Sequence, residues 1–156
     1  QEAEISIDIL EAVRSSNIEY LRLSFLNDDE KKNDLQDCRN EFGENLLHLA
    51  CRMSGGISWK VIAFLIQEAQ VPLNVRDRFG RTPLHHACMS FHPNFDTIAF
   101  VIRHIPRMCL LFEDDNGKIP FDLIPSRCEE GWTQFLSETK NILHNNNTQE
   151  SAFSVS

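Results

Sequence analysis

The chain has 156 residues, 42% apolar and 24% charged, which suits the core of one ordinary domain and excludes global disorder. Acidic residues outnumber basic ones 23 to 15, and the net charge of −8 disfavours nucleic-acid binding through phosphate contacts. No apolar run is long enough for a bilayer span, so no membrane role is expected. The start, Gln1-Glu2-Ala3-Glu4, is unlike a signal peptide, and the missing Met points to a fragment or a processed chain. Cys38, Cys51, Cys88, Cys109 and Cys128 form an odd set without a Cys-x-x-Cys pair. They read as reduced thiols of an intracellular protein, cytoplasmic or nuclear.

In chain order, residues 5–14 and 18–26 predict two helices joined by the polar turn Ser15-Ser16-Asn17. Residues 27–40, with Asp28, Asp29, Glu30, Lys31 and Lys32, read as a mobile charged link. A repeat follows. Asn40-Glu41-Phe42-Gly43 with His48, Asp77-Arg78-Phe79-Gly80 with His85, and Asp114-Asp115-Asn116-Gly117 with Asp122 align, their glycines 37 residues apart. In the middle copy, Asp77 to Gly80 is a turn whose Gly tolerates positive φ. Thr82 serves as N-cap, its hydroxyl facing the first helical amides, and Pro83 occupies the first helical position. A helix over 83–90 ends at Phe91-His92-Pro93-Asn94. Asp96 caps a second helix over 97–104, which Pro106 stops. The preceding copy follows the same plan, with Asn45 as cap, Gly55-Gly56 as breaker and Ser58-Trp59 opening the second helix. Trp132, Phe135, Leu136, Thr139, Ile142 and Leu143 recur at helical spacing and would close the stack, and 145–156 reads as a disordered polar tail. Helices of 8–10 residues are marginal alone and must bury their apolar faces against neighbours, so the pattern implies a helical solenoid.

The string Asp77-x-x-Gly80-x-Thr82-Pro83-Leu84-His85-x-Ala87 resembles the ankyrin-repeat signature at each defining position, with degenerate copies on either side. The resemblance implies an all-α solenoid of stacked helix-turn-helix units with projecting hairpin turns. One domain over 1–144 would hold about four repeats, at 5–39, 40–76, 77–113 and 114–144, the outer two acting as caps. Gly43, His48, Gly80, Thr82, Pro83, His85, Gly117 and Pro120 are then structural repeat residues, each matching histidine bonding to its cap and the neighbouring turn. The function implied is non-catalytic protein–protein recognition.

His48, Cys51, His85 and Cys88 offer four soft donors at i, i+3 spacing. Adjacent helices sit ~8–10 Å apart, too far for two parallel pairs to share one zinc with bonds of ~2.0–2.3 Å, so no metal is expected there. A Cys88–His85 or Cys88–His86 catalytic pair lacks an orienting third group, and no phosphate-binding glycine loop or cofactor motif is present. A Cys/His enzyme or metal protein and a passive spacer in a longer chain are the alternatives. Trp59 and Trp132 read as solenoid core. Phe42 and Phe79 precede the turn glycines, beside Arg78 and Arg81, and are candidate anchors for a protein partner. Arg52, His86 and Met89 on the first helices, with Lys118 at the rim, would extend this surface.

Overall fold

The computed structural model describes residues 2–53 and 55–140. Its helices are α1 (Ile7–Arg14), α2 (Ile18–Phe25), α3 (Asp29–Asp37), α4 (Leu46–Arg52), α5 (Trp59–Gln67), α6 (Pro83–Met89) and α7 (Phe95–His104). A further helix, α8, covers 129–140, and 3₁₀ turns lie at Arg107–Leu111, Pro120–Leu123 and Ser126–Cys128. Among the described residues there is no strand; a lone parallel bridge pairs Glu4 with Arg39. The architecture is the all-helical solenoid that the repeat implies. Residues 145–156 and the predicted closing residues Ile142 and Leu143 lie outside the described residues.

Most of the short helices start where a polar side chain takes up orphan amides; at α6 the expected Thr82 hydroxyl cap is not made, and the hydroxyl meets His85 instead. Ser6 accepts from Ile9, Asn17 from Tyr20, Asn45 from Leu47 and His48, and Ser58 from Lys60. Two rows of helices result. In the inner row α4 packs on α6, and α6 on the 3₁₀ turn Pro120–Leu123; in the outer row α5 packs on α7. The core runs between the rows: Leu46, Leu47 and Cys51 of α4, Leu84 and Cys88 of α6, Ile62 and Leu65 of α5, Ile98 and Val101 of α7. Val13, Leu21 and Leu35 close it at one end, Trp132 and Phe135 at the other.

The structure departs from the sequence reading at several places. α1 begins at Ile7 rather than residue 5, because the Ser6 hydroxyl provides the cap. Residues 27–40 are not a loose link. Asp28 caps α3, Leu35 is fully buried, Cys38 is 1% exposed, and Gln36 Nε2 donates to the Ala69 carbonyl at 2.8 Å. One apolar anchor in a charged nine-residue helix suffices because the flanking chain is tied down as well. Ile5 and Arg39 each donate an amide across the Glu4–Arg39 bridge. The second helix of the middle copy is capped by Asn94, not Asp96. The Asn94 side chain accepts from the amides of Asp96 and Thr97, and the helix opens two residues early, at Phe95. That brings the Phe95 ring onto Phe135 and Trp132, with centroids 5.0 and 5.4 Å away. Trp132 is core, but Trp59 is 44% exposed: it is the first residue of α5, on the outer face, tilted against Phe100 at 6.2 Å.

Candidate functional site

Three turns of one design line the edge of the stack. In each, a side-chain oxygen of the opening residue accepts two amides of its own turn. Asn40 Oδ1 takes those of Phe42 and Glu44 at 3.0 Å. Asp77 Oδ1 takes those of Phe79 and Arg81, and Asp114 Oδ1 those of Asn116 and Lys118, all at 2.9 Å. The chain then reverses at Gly43, Gly80 and Gly117, with φ of +74°, +75° and +74°. At Gly80 a side chain is excluded by space as well, since a Cβ would lie 3.0 Å from the Asp115 amide nitrogen. Successive turns are stitched together by the Arg78 amide donating to the Phe42 carbonyl and the Asp115 amide to the Phe79 carbonyl, both at 2.9 Å.

His48 and His85 lock each inner helix to the turn that follows. Their Nδ1 atoms accept the amides of Asn45 and Thr82 at 3.0 and 3.1 Å. Each Nε2–H then donates to a carbonyl of the next turn, Arg81 at 2.8 Å and Lys118 at 3.0 Å. These contacts set the tautomer. Burial lowers His48 to about 4 against the opposing pull of the Arg81 carbonyl, and it lowers His85 too, so both rings are neutral at pH 7. The Thr82 hydroxyl lies 2.9 Å from His85 Nδ1. In the last copy Asp122 takes the histidine's place and accepts the Ile119 amide at 3.1 Å, but it ties no further turn.

At the tips, Phe42 and Phe79 are 44% and 54% exposed. Arg78 and Lys118 are exposed beside them, while Arg81 is tied down: its Nε sits 3.2 Å from Asp114 Oδ2, and its guanidinium 5.8 Å from the Phe79 ring centre. Arg52 is exposed and pairs with Glu44 at 2.8 Å, and Met89 is half-buried. His86 differs from the expectation. Rather than extending an open surface, it is 7% exposed, with Nε2 2.8 Å from Asp77 Oδ2 and 3.6 Å from Glu44 Oε1. Glu44 is itself 2% exposed, and Asp77 7%. Burial pushes Asp77 up, but the bonds from His86 and from the amides of Arg81 and Phe79 outweigh it and hold the carboxyl below its usual range. Sequence reasoning missed Glu44 and Asp77 as partners of His86. The only available signal was an acidic turn residue nine positions before a histidine.

The four-donor set His48, Cys51, His85 and Cys88 is not drawn into one site. Among the described residues the donor atoms of these four do not come together as a group, and both thiols are fully buried. Burial pushes Cys51 up to about 12 and raises Cys88 as well, which leaves neither as a thiolate nucleophile at neutral pH. None of the helices among the described residues is long and apolar enough to cross a membrane.

Comparison with known proteins agrees with this geometry. Among curated proteins, the chain is 35% identical over 89 residues to ADP-ribosylation factor GTPase-activating protein AGD4 of Arabidopsis thaliana. The match takes in 57% of this chain and 10% of that protein, so the chain spans a small part of the relative's length. The model for ankyrin repeats (three copies) matches residues 9–109, more than half of the chain. Ankyrin repeats are in general protein–protein interaction modules, and the chain belongs to the ankyrin-repeat family.

Proposed function

We propose that the chain is a non-catalytic recognition module that presents its hairpin tips and inner-helix face to a protein partner. The observation that carries this reading is the pair of half-exposed rings, Phe42 and Phe79, at equivalent tips of consecutive turns with the exposed Arg78 guanidinium beside them. Aromatic and Arg side chains supply most interface hot spots, and tips held by four hydrogen bonds within each turn lose little entropy on docking. The partner offers an apolar side chain flanked by carboxylates. The single domain over 1–144 and an intracellular setting belong to the same proposal, the latter supported by four buried thiols among five unpaired cysteines. The GTPase-activating activity in the Arabidopsis relative's name is not carried over, because the matched part is a tenth of that protein.

The test selects peptides from a random library on the full chain and repeats binding with altered tips. Phe79→Ala with Arg78→Ala is expected to weaken binding by a few kcal/mol while hardly moving the melting temperature, since neither side chain holds its turn. Arg81→Ala is the poorer choice, because its bond to Asp114 is part of the fold. One observation favours a second surface: Trp59 and Leu23 are exposed on the outer helices, at 44% and 62%. Binding that survives the tip changes but is lost with Trp59→Ala, or on altering Lys60, Gln67 or Arg103, would move the interface there.

A further inference from the structure

Beneath the hairpin tips, donors of three buried residues, His48, Asp77 and His86, converge, and a fourth buried residue, Glu44, approaches His86. His86 Nε2 lies 2.8 Å from Asp77 Oδ2 and 3.6 Å from Glu44 Oε1. His48 joins them: one donor atom each from His48, Asp77 and His86 lie within 4.8 Å of one another. Exposures run from 0% for His48 to 7% for Asp77 and His86. We propose that the His48, Asp77, His86 and Glu44 cluster is a zinc-type site for one divalent transition-metal ion, at the junction of two repeats.

Chemistry, charge and support all point the same way. Two imidazoles and two carboxylates suit zinc, cobalt or nickel and not calcium or magnesium, which require oxygen cages. In a tetrahedral site with bonds of ~2.0–2.1 Å the donors stand ~3.3 Å apart. His86 Nε2 stands 2.8 Å from Asp77 and 3.6 Å from Glu44, on either side of that value, and His48, Asp77 and His86 lie within 4.8 Å of one another. Of the two buried carboxylates, Asp77 pairs with His86 and Glu44 with Arg52, whose side chain is half-exposed and can swing into water as the ion takes its place on Glu44 Oε1. The non-ligating oxygens are already held. Asp77 Oδ1 accepts the amides of Phe79 and Arg81, and Glu44 Oε2 accepts Asn40 Nδ2 at 2.6 Å. Such outer bonds orient metal ligands. His48 is the adaptable member. To ligate through Nε2 its proton moves to Nδ1, where Asn45 Oδ1 stands 2.9 Å away; the Arg81 carbonyl then gives up its donor and the Asn45 amide its acceptor. His86 likewise gives up its hydrogen bond to Asp77, the shared proton leaving to water, so coordinate bonds across the junction replace both that bond and the inter-repeat His48–Arg81 bond.

The experiment uses the full chain stripped with a chelator. Zinc chloride is titrated by calorimetry, and cobalt(II) chloride by visible absorption. One equivalent of zinc, a raised melting temperature and the intense bands of tetrahedral cobalt are expected. His86→Gln and Asp77→Asn, which keeps Oδ1 as an acceptor, should each weaken zinc binding by about 10-fold or more. A triple change of His92, His104 and His144 to Ala should bind as the unaltered chain does. Failure to bind zinc, or binding that His86→Gln leaves intact and the triple change abolishes, overturns the proposal. Should His86→Gln not fold by circular dichroism, Glu44→Gln decides: an unchanged cobalt spectrum and zinc affinity overturn it, and a loss of both supports it.

Discussion

At the scale of single residues, the histidines of the repeat motif make stability depend on pH. His48 titrates at about 4 in the folded chain against 6.5 for a free imidazole, because its burial disfavours the charged ring. The unfolded chain therefore holds the extra proton between those two values. The stabilisation is complete above pH 6.5 and is lost as pH falls towards 4, by roughly 3 kcal/mol in all. His85, also lowered by burial, adds in the same direction. Asp77 and Asp114 act in a separate, more acidic window. Burial raises both, but hydrogen bonds outweigh it and hold both low, so their contribution persists above pH 3.8 and fails only below it. Denaturant midpoints should fall between pH 7 and pH 5, before either aspartate protonates. His48→Gln should start from a lower midpoint and lose less over that interval. Equal slopes for the two proteins would show that His48 is not the group responsible.

Capping decides where elements begin, and one cap gives a direct comparison. Asn94 accepts two amides at the start of α7, whereas Asp96 lies inside the first turn and accepts none that holds the helix. Asn94→Ala should cost about 1 kcal/mol of stability by thermal or denaturant melts, and Asp96→Ala only a few tenths, from its charge near the helix start. The reverse order would place the cap back at Asp96. The same contrast marks how far the sequence can be read. The turns and inner helices were legible because Gly, Thr-Pro and His act within a few residues of one another. Asn94 was missed because Phe91-His92-Pro93-Asn94 has the composition of a breaker, and a breaker's last residue is also the next helix's first cap. α3 was missed because its polar run hides Leu35, which is buried only once α3 folds back on α2. The cluster of His86, Asp77 and Glu44 was illegible for a similar reason. It depends on distances set when α4, α6 and the turn pack, not on any spacing along the chain.

At the scale of the molecule, the stack is linear, each unit held mainly by its neighbours through the His48–Arg81 and His85–Lys118 bonds and the shared core. Such a design is weakest at its ends, where a unit has one neighbour only. The last unit is the weaker of the two, since its inner helix has shrunk to the 3₁₀ turn Pro120–Leu123. What holds it is an aromatic cluster. Trp132 is 2% exposed and meets Phe95, Phe121 and Phe135 with ring centres 5.4, 6.0 and 5.8 Å away. Truncating a buried Trp to Ala costs ~3–5 kcal/mol, a large part of the 5–15 kcal/mol that holds a typical domain. Trp132→Ala should therefore release the C-terminal end first. Hydrogen exchange would show faster amides in α7 and in residues 114–123, while α4 and α6 keep their protection, and the thermal transition would broaden. Leu35→Ala, which opens a cavity at the far end, should leave α7 protected at the same denaturant concentration. Uniform loss of protection across α4, α6 and α7 in Trp132→Ala would mean that the stack unfolds as one unit and that the aromatic cluster is not a local cap.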